Sequence, residues 1–162
     1  MANFTIRQVL LADLDRCAEI EAACYGLEGA TKERIAIRIE VFPQGFLVGC
    51  LDSQIVGFIN SGSTSKDNLS DESLKDMVGH ELYGQNIVIF SLAVHPRFQK
   101  QGFAADLMRQ FIDRAKQLGK AQILLMCQPE LIPFYGRYGF IYRSMSQSTH
   151  GGLHWHEMFL PF

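Results

Sequence analysis

The sequence predicts an α/β chain of α+β character, a mixed sheet of about seven strands flanked by four or five helices. Three observations carry that reading. Residues 87–94, Ile87-Val88-Ile89-Phe90-Ser91-Leu92-Ala93-Val94, are apolar almost without a break, the mark of a central strand covered on both faces. A long amphipathic helix follows Gly102, with Ala104, Leu107, Met108, Phe111, Ala115 and Leu118 on one side and Asp106, Arg109, Asp113, Arg114 and Lys116 elsewhere. A second apolar strand, 121–127, comes directly after it, so the three elements make a right-handed crossover between parallel strands.

The other elements are placed around that unit. Residues 4–10 alternate loosely and suggest an opening strand. Asp13 is positioned to cap a helix in which Leu14, Cys17, Ile20 and Cys24 share a face, and Tyr25-Gly26 ends it. Thr31 caps a second helix, whose Ile35/Ile39/Phe42 stripe runs to Pro43-Gln44-Gly45. The period then changes: 46–50 and 55–59 read as a hairpin around the polar centre of Leu51-Asp52-Ser53-Gln54.

Residues 60–85 are polar and locally acidic, with Asp67, Asp71, Glu72, Asp76 and Glu81. Leu69 and Leu74 stand at the positions of a hydrophobic staple, which starts a short helix at Ser70. So long a connection is expected to pack as a small helix and to contribute to a binding site. Gly119 ends the crossover helix, 133–138 reads as one or two helical turns after Pro129, 140–143 begins a strand, and 153–159 forms the last one.

A chain of 162 residues is expected to form a single domain, 1–162, with a real core. Its net charge of -2 offers no general attraction to nucleic acid or acidic lipid, so any basic site is local. Cys17, Cys24, Cys50 and Cys127 are scattered, with no Cys-x-x-Cys pair, and read as small core residues. No signal peptide and no apolar run near the ~20 residues of a membrane helix is found, so the cytoplasm is the expected compartment. Monomer and homodimer both stay open, the homodimer favoured as the commonest assembly.

The junction from Phe90 to Ala104 is chemically the most informative. An apolar strand runs into a basic, glycine-containing turn and then a helix, whose first N–H groups face outward at the positive end of the dipole. Arg97 and Lys100 add charge there, and Gly102 removes a Cβ from the path of a phosphate oxygen. An ordinary strand-to-helix turn is the alternative. A doubly wound nucleotide fold is excluded, because the strand-helix unit does not repeat and no glycine fingerprint follows an early strand; the P-loop lysine is absent too.

Two motifs resemble those of the GNAT superfamily of acetyl-CoA-dependent N-acetyltransferases. The coenzyme motif stands as Gln99-Lys100-Gln101-Gly102-Phe103-Ala104, and a second signature as Phe134-Tyr135-Gly136-Arg137-Tyr138-Gly139-Phe140. Within the superfamily the chain is similar to the arylalkylamine (serotonin-type) enzymes, through Leu92-Ala93-Val94-His95-Pro96, through Leu125-Met126-Cys127 leading to Ile132-Pro133-Phe134-Tyr135, and through Leu153-His154-Trp155-His156-Glu157-Met158. The resemblance implies a GNAT-type, mostly antiparallel mixed sheet and acetyl-CoA as co-substrate. It implies that Leu92, Ala93 and Val94 meet the pantetheine arm and thioester, with Phe134 also at the coenzyme, and that the backbone from Gln99 to Ala104 cradles the pyrophosphate. Where many relatives have Arg, this chain has Gln99, and Arg97 or Lys100 supplies the charge.

A thioester is already activated, so the enzyme has to hold a neutral amine against its carbonyl, stabilise the oxyanion and protonate the leaving thiolate. Tyr135 stands where the resemblance puts the general acid, with aromatic packing as its other reading. In the vertebrate arylalkylamine enzymes two histidines of the central strand resemble a proton relay; here those positions are Val88 and Phe90. The base is thus open, with His95 and His80 as candidates by chain proximity. His150, His154 and His156 mimic a metal trio without a supporting carboxylate pattern, and no metal is expected. Phe42, Phe46, Phe58 and Trp155 are candidates for an aromatic amine pocket or simply core, while the acidic segment suits a polyamine or a solvated face. The expected activity is acetyl transfer to the primary amine of a small molecule; the alternatives are a peptide or protein N-acetyltransferase and a non-catalytic acetyl-CoA-binding module.

Overall fold

A computed structural model describes residues 3–67, 69, 72–146 and 152–162. The expected helix start at Ser70, and His150 of the histidine trio, lie outside them. Seven strands, β1 (Phe4–Gln8), β2 (Leu47–Leu51), β3 (Gln54–Thr64), β4 (Asn86–Val94), β5 (Gln122–Cys127), β6 (Ile141–Met145) and β7 (His156–Pro161), form one sheet in the order β1-β2-β3-β4-β5-β7-β6. Four α-helices accompany them: α1 (Leu14–Tyr25), α2 (Lys32–Val41), α3 (Phe103–Gln117) and α4 (Ile132–Gly136). The pairing is antiparallel for β1 with β2, β2 with β3, β5 with β7 and β6 with β7, and parallel for β4 with β5. The chain gathers into two compact units, 1–61 with 90–114 and 62–89 with 115–162.

In the first unit, alternation along the strands sorts the core. Phe58, Cys50, Val48 and Ala93 join Cys17 and Ile20 of α1 and Ile35 and Ile39 of α2 in one buried cluster. Gly49 and Gly57 oppose each other across β2 and β3 and point the other way, towards Leu107 of α3. Neither position has room for a side chain. A Cβ on Gly57 would stand 2.7 Å from the Ala93 carbonyl oxygen, and one on Gly49 would stand 2.6 Å from the Phe4 ring, which itself stacks on Phe103 at 4.3 Å.

Local chemistry sets the helix ends. Thr31 caps α2 as expected, its hydroxyl accepting the Arg34 N–H at 3.2 Å. Asp13 precedes α1 but makes no side-chain cap. Its carboxylate turns back instead, accepting Arg7 at 2.8 and 3.0 Å and the Leu10 N–H at 2.7 Å, because a guanidinium fork offers it stronger, charge-assisted bonds.

Two strands depart most from expectation. β3 runs on to Thr64, through Asn60, Ser61 and Ser63, all buried. The two serines are tolerated there because they find partners: the Ser61 hydroxyl donates to the Gly45 carbonyl at 2.8 Å, and that of Ser63 to the Gly84 carbonyl at 3.2 Å. β7 starts at His156 rather than at residue 153, and opens opposite Cys127 and Met145.

In the second unit the polar segment is tied down rather than loose. Glu81 donates its N–H to the Ser63 carbonyl at 2.8 Å and accepts the Ser65 N–H at 2.6 Å. Lys120, buried just before β5, donates from Nζ to the Ser63 hydroxyl at 2.5 Å and to the carbonyls of Leu82 at 2.9 Å and Gly84 at 2.6 Å. Among the described residues, no helix is long and apolar enough to cross a membrane.

Candidate active site

The first unit carries the strand-turn-helix junction. β4 ends at Val94, a short 3-10 turn covers Pro96–Phe98, and α3 starts at Phe103. Between them Lys100 (φ 65) and Gly102 (φ 87) both adopt left-handed backbone, which turns the chain sharply into the helix. A Cβ on Gly102 would meet nothing within 4 Å, and Gln99, Lys100, Gln101 and Gly102 are all exposed. Phe103 and Ala104 open the helix, and the first intrahelical bond, Asp106 N–H to Gly102 C=O at 3.1 Å, places the outward-facing N–H groups of its first turn here. The open, basic turn fits a phosphate.

The strand before it has two unlike edges. The Ala93 carbonyl faces Gly57 and the His95 N–H donates to the Val56 carbonyl at 2.8 Å, so residues 93 and 95 serve β3. Leu92 and Val94 therefore present their carbonyls to the opposite edge. There the Tyr25 hydroxyl donates to Leu92 C=O at 2.7 Å, while Gln99 Nε2 and the Cys24 thiol donate to Val94 C=O at 2.9 and 3.2 Å. The parallel register of β4 with β5 runs from Asn86↔Gln122 to Val88↔Leu124, short of this stretch. Ala93 is thus set apart from its neighbours, its side chain in the core.

Tyr135 lies on α4 in the second unit, 8% exposed. Phe134 and Phe140 meet its ring edge-on at 5.1 and 5.8 Å, and Tyr138 meets Phe134 at 5.3 Å. Burial pushes its phenol above the ordinary range, with the Cys127 charge a smaller cause, so it is protonated at neutral pH. Desolvation also pushes the Cys127 thiol up to about 11 and that of Cys17 up to about 12. Cys24 moves the same way, through desolvation and then the Glu21 carboxylate. These three are thiols rather than nucleophilic thiolates.

The histidine candidates are engaged in structure. His95 Nδ1 accepts the Arg97 N–H at 3.2 Å and holds the turn. His80 Nδ1 accepts the Ser63 N–H at 3.0 Å; desolvation, then the Lys120 charge, lowers its pKa. His154 precedes β7 and so does not share a strand face with His156, which pairs with the Tyr142 hydroxyl at 3.0 Å. Among the described residues no group of three or more His, Cys, Asp or Glu is placed to hold a metal.

Of the expected pocket aromatics, Phe42, Phe46 and Phe58 have no exposure and belong to the core. At the relay positions, Val88 is buried and Phe90 lies under the guanidinium of buried Arg38, 4.7 Å from the ring centre. Glu21 and Tyr25 of α1, one helical turn apart, both bond to β4, through Ser91 and Leu92. Their signal was a carboxylate in line with the Cys17/Ile20/Cys24 stripe.

Residues 14–140 match the acetyltransferase (GNAT) family, and the chain belongs to it. Serotonin N-acetyltransferase of Macaca mulatta is 33% identical over 114 residues, 70% of this chain and 52% of that protein. The Mesocricetus auratus enzyme is 31% identical over 90 residues, 55% of this chain and 42% of its own. The chain thus spans about half the length of these curated relatives. The loading GNATL domain of CurA from Lyngbya majuscula superposes with a TM-score of 0.87 at 16% identity, covering 98% of both chains, which shows the shared fold.

Proposed function

We propose that this chain transfers the acetyl group of acetyl-CoA to the primary amine of a small molecule, by direct attack of the amine on the thioester. The observation that carries the reading is the exposed, left-handed turn from Gln99 to Gly102 at the head of α3, which bears the family's coenzyme motif. In this reading, backbone N–H groups from Gln99 to Ala104 hold the pyrophosphate, helped by the charges of Arg97 and Lys100. Leu92 and Val94 turn their strand edge to the pantetheine arm and thioester, and Phe134 packs at the coenzyme.

Entry of that arm has a consequence for the edge as it stands. The Tyr25 hydroxyl and the Gln99 amide occupy the two carbonyls, so each gives way to a donor of the coenzyme or shares its acceptor with one. The raised thiol pKa values argue against an acetyl-cysteine and for direct transfer. Tyr135, held protonated, donates a hydrogen bond to the departing sulfur and passes on its proton, recovering one from the new amide nitrogen.

The acceptor class is an arylalkylamine or a polyamine. Similarity to the serotonin N-acetyltransferases supports the first, although Val88 and Phe90 depart from their relay, and the acidic segment around Asp67, Asp76 and Glu81 supports the second. A thiol-release assay with acetyl-CoA against arylalkylamines, polyamines, aminoglycosides and peptides tests this. Turnover with a small primary amine is expected; coenzyme binding with no amine acetylated would overturn it.

A further inference from the structure

We propose that Glu21 receives the acceptor's ammonium group and takes its proton, a role that rests on the acetyl-transfer reading above. Glu21 is 2% exposed on the face of α1 that packs against β4. Its Oε2 accepts the Ala30 N–H at 2.8 Å and the Ser91 hydroxyl at 3.2 Å. Its Oε1 is buried without a hydrogen-bond partner, and among the described residues no cation pairs with the carboxylate.

A buried carboxylate oxygen left without a donor costs free energy that an arriving N–H would recover. The loop after α1 is already held by Oε2 through Ala30, so a purely structural role leaves Oε1 unexplained. The backbone around it is tight: a Cβ on Gly29 would stand 3.0 Å from the Glu21 Cγ, which keeps the side chain in place.

Position makes the free oxygen useful. Ser91 adjoins Leu92, and the hydroxyl of Tyr25, one turn along α1, already reaches the Leu92 carbonyl at 2.7 Å. Cys24 reaches Val94 from the same turn. Helix α1 therefore lays Glu21, Tyr25 and Cys24 along residues 91–94, which hold the Leu92 and Val94 edge proposed for the thioester. The other candidates are spent: Val88 and Phe90 are apolar, and His95 and His80 hold backbone N–H groups. Of the titratable groups facing Glu21, Cys24 and Tyr25 share its helix and both act as donors to β4 carbonyls, while β4 itself presents the neutral Ser91.

The Glu21 carboxylate takes one proton from R–NH3+, giving R–NH2 and a carboxylic acid. The nitrogen lone pair forms the C–N bond to the thioester carbonyl carbon, and collapse breaks the C–S bond, sending its electron pair to sulfur. The protonated amide gives its extra proton to the thiolate by way of Tyr135. Glu21 releases its proton to water, so the sum is amide, CoA thiol and one proton.

The test compares wild type with Glu21→Gln, using the fastest acceptor found among 2-phenylethylamine, spermidine and glycinamide. Expected is a loss of about a hundredfold or more in kcat/KM, a residual rate that climbs with the fraction of neutral amine as pH rises, partial rescue by Glu21→Asp, and unchanged acetyl-CoA affinity. An unaltered pH profile with kcat/KM within about threefold of wild type would overturn the proposal while leaving the acetyltransferase reading intact. Should Glu21→Gln fail to fold, wild type decides: the alcohol that replaces that acceptor's amine should compete at least about tenfold more weakly than the amine binds, and equal binding would refute an ammonium site. If wild type acetylates none of the three amines, the reading and this inference fall together.

Discussion

Lys120→Met removes the ammonium that ties the segment before β4 to β3 and keeps the apolar stem. In the wild type, Nζ serves the Ser63 hydroxyl and the carbonyls of Leu82 and Gly84. Without it, the Ser63 hydroxyl is the donor left for both carbonyls, at 3.2 Å from Gly84 and 3.5 Å from Leu82, and it can satisfy one. The orphaned carbonyl costs about 1–3 kcal/mol. Relief of the buried ammonium, whose desolvation lowers the Lys120 pKa, offsets part of that. The net expectation is a loss of about 1–2 kcal/mol, or about 2–8 °C in Tm for a chain of this length. Thermal unfolding reads the loss, and native-state hydrogen exchange localises it to the Glu81 and Gly84 amides, which bond to Ser63 and Glu81 at 2.8 Å. A variant with unchanged or higher Tm and undiminished protection of those two amides would refute the reasoning.

Three other outcomes follow from the same contacts. Gly57→Ala forces a methyl group against the Ala93 carbonyl, inside the sheet where backbone yields little, and lowers Tm by about 3–10 °C in a thermal melt. His80 has a folded pKa below its ordinary 6.5, so the unfolded chain takes up its proton first. Its share of stability is complete above 6.5 and is lost as pH falls from there towards the folded value; urea melts should show wild type losing stability relative to His80→Gln over that window. Tyr135→Phe should lower kcat about a hundredfold or more with little change in acetyl-CoA affinity, and an unchanged single-turnover rate would remove Tyr135 from the proton path.

The sheet and its crossover were legible because their signals are redundant. The run from Ile87 to Val94 has the length and β-branched content of a buried strand, and the α3 stripe repeats at helical spacing through Leu107, Met108, Phe111 and Ala115, all buried as expected. The end of β3 was not legible, because Ser61 and Ser63 look like loop residues until Gly45, Gly84 and Lys120 arrive from distant parts of the chain. The same limit applied to Asp13, whose partner Arg7 lies on β1 rather than at the helix start.

The turn before α3 was legible because its backbone tolerates only certain residues: Gly102 adopts left-handed φ, with the helix head behind it. A site proposed for the acceptor rests on side chains, whose convergence no local pattern announces. Burial and the bonds to Ala30 and Ser91 separate Glu21 from a solvated glutamate, and neither shows in the sequence of α1. Phe42, Phe46 and Phe58 show the converse, since three aromatic residues suited to a pocket fill the core.

The most direct test of direct acetyl transfer is to mix the protein with carbonyl-labelled acetyl-CoA and a primary amine, following the label by NMR and the protein by intact mass. The label should pass from thioester to amide in step with thiol release, with no acetylated protein at any time. Thiol release with the label appearing as free acetate, or an acetyl group resident on a cysteine before amide forms, would contradict it.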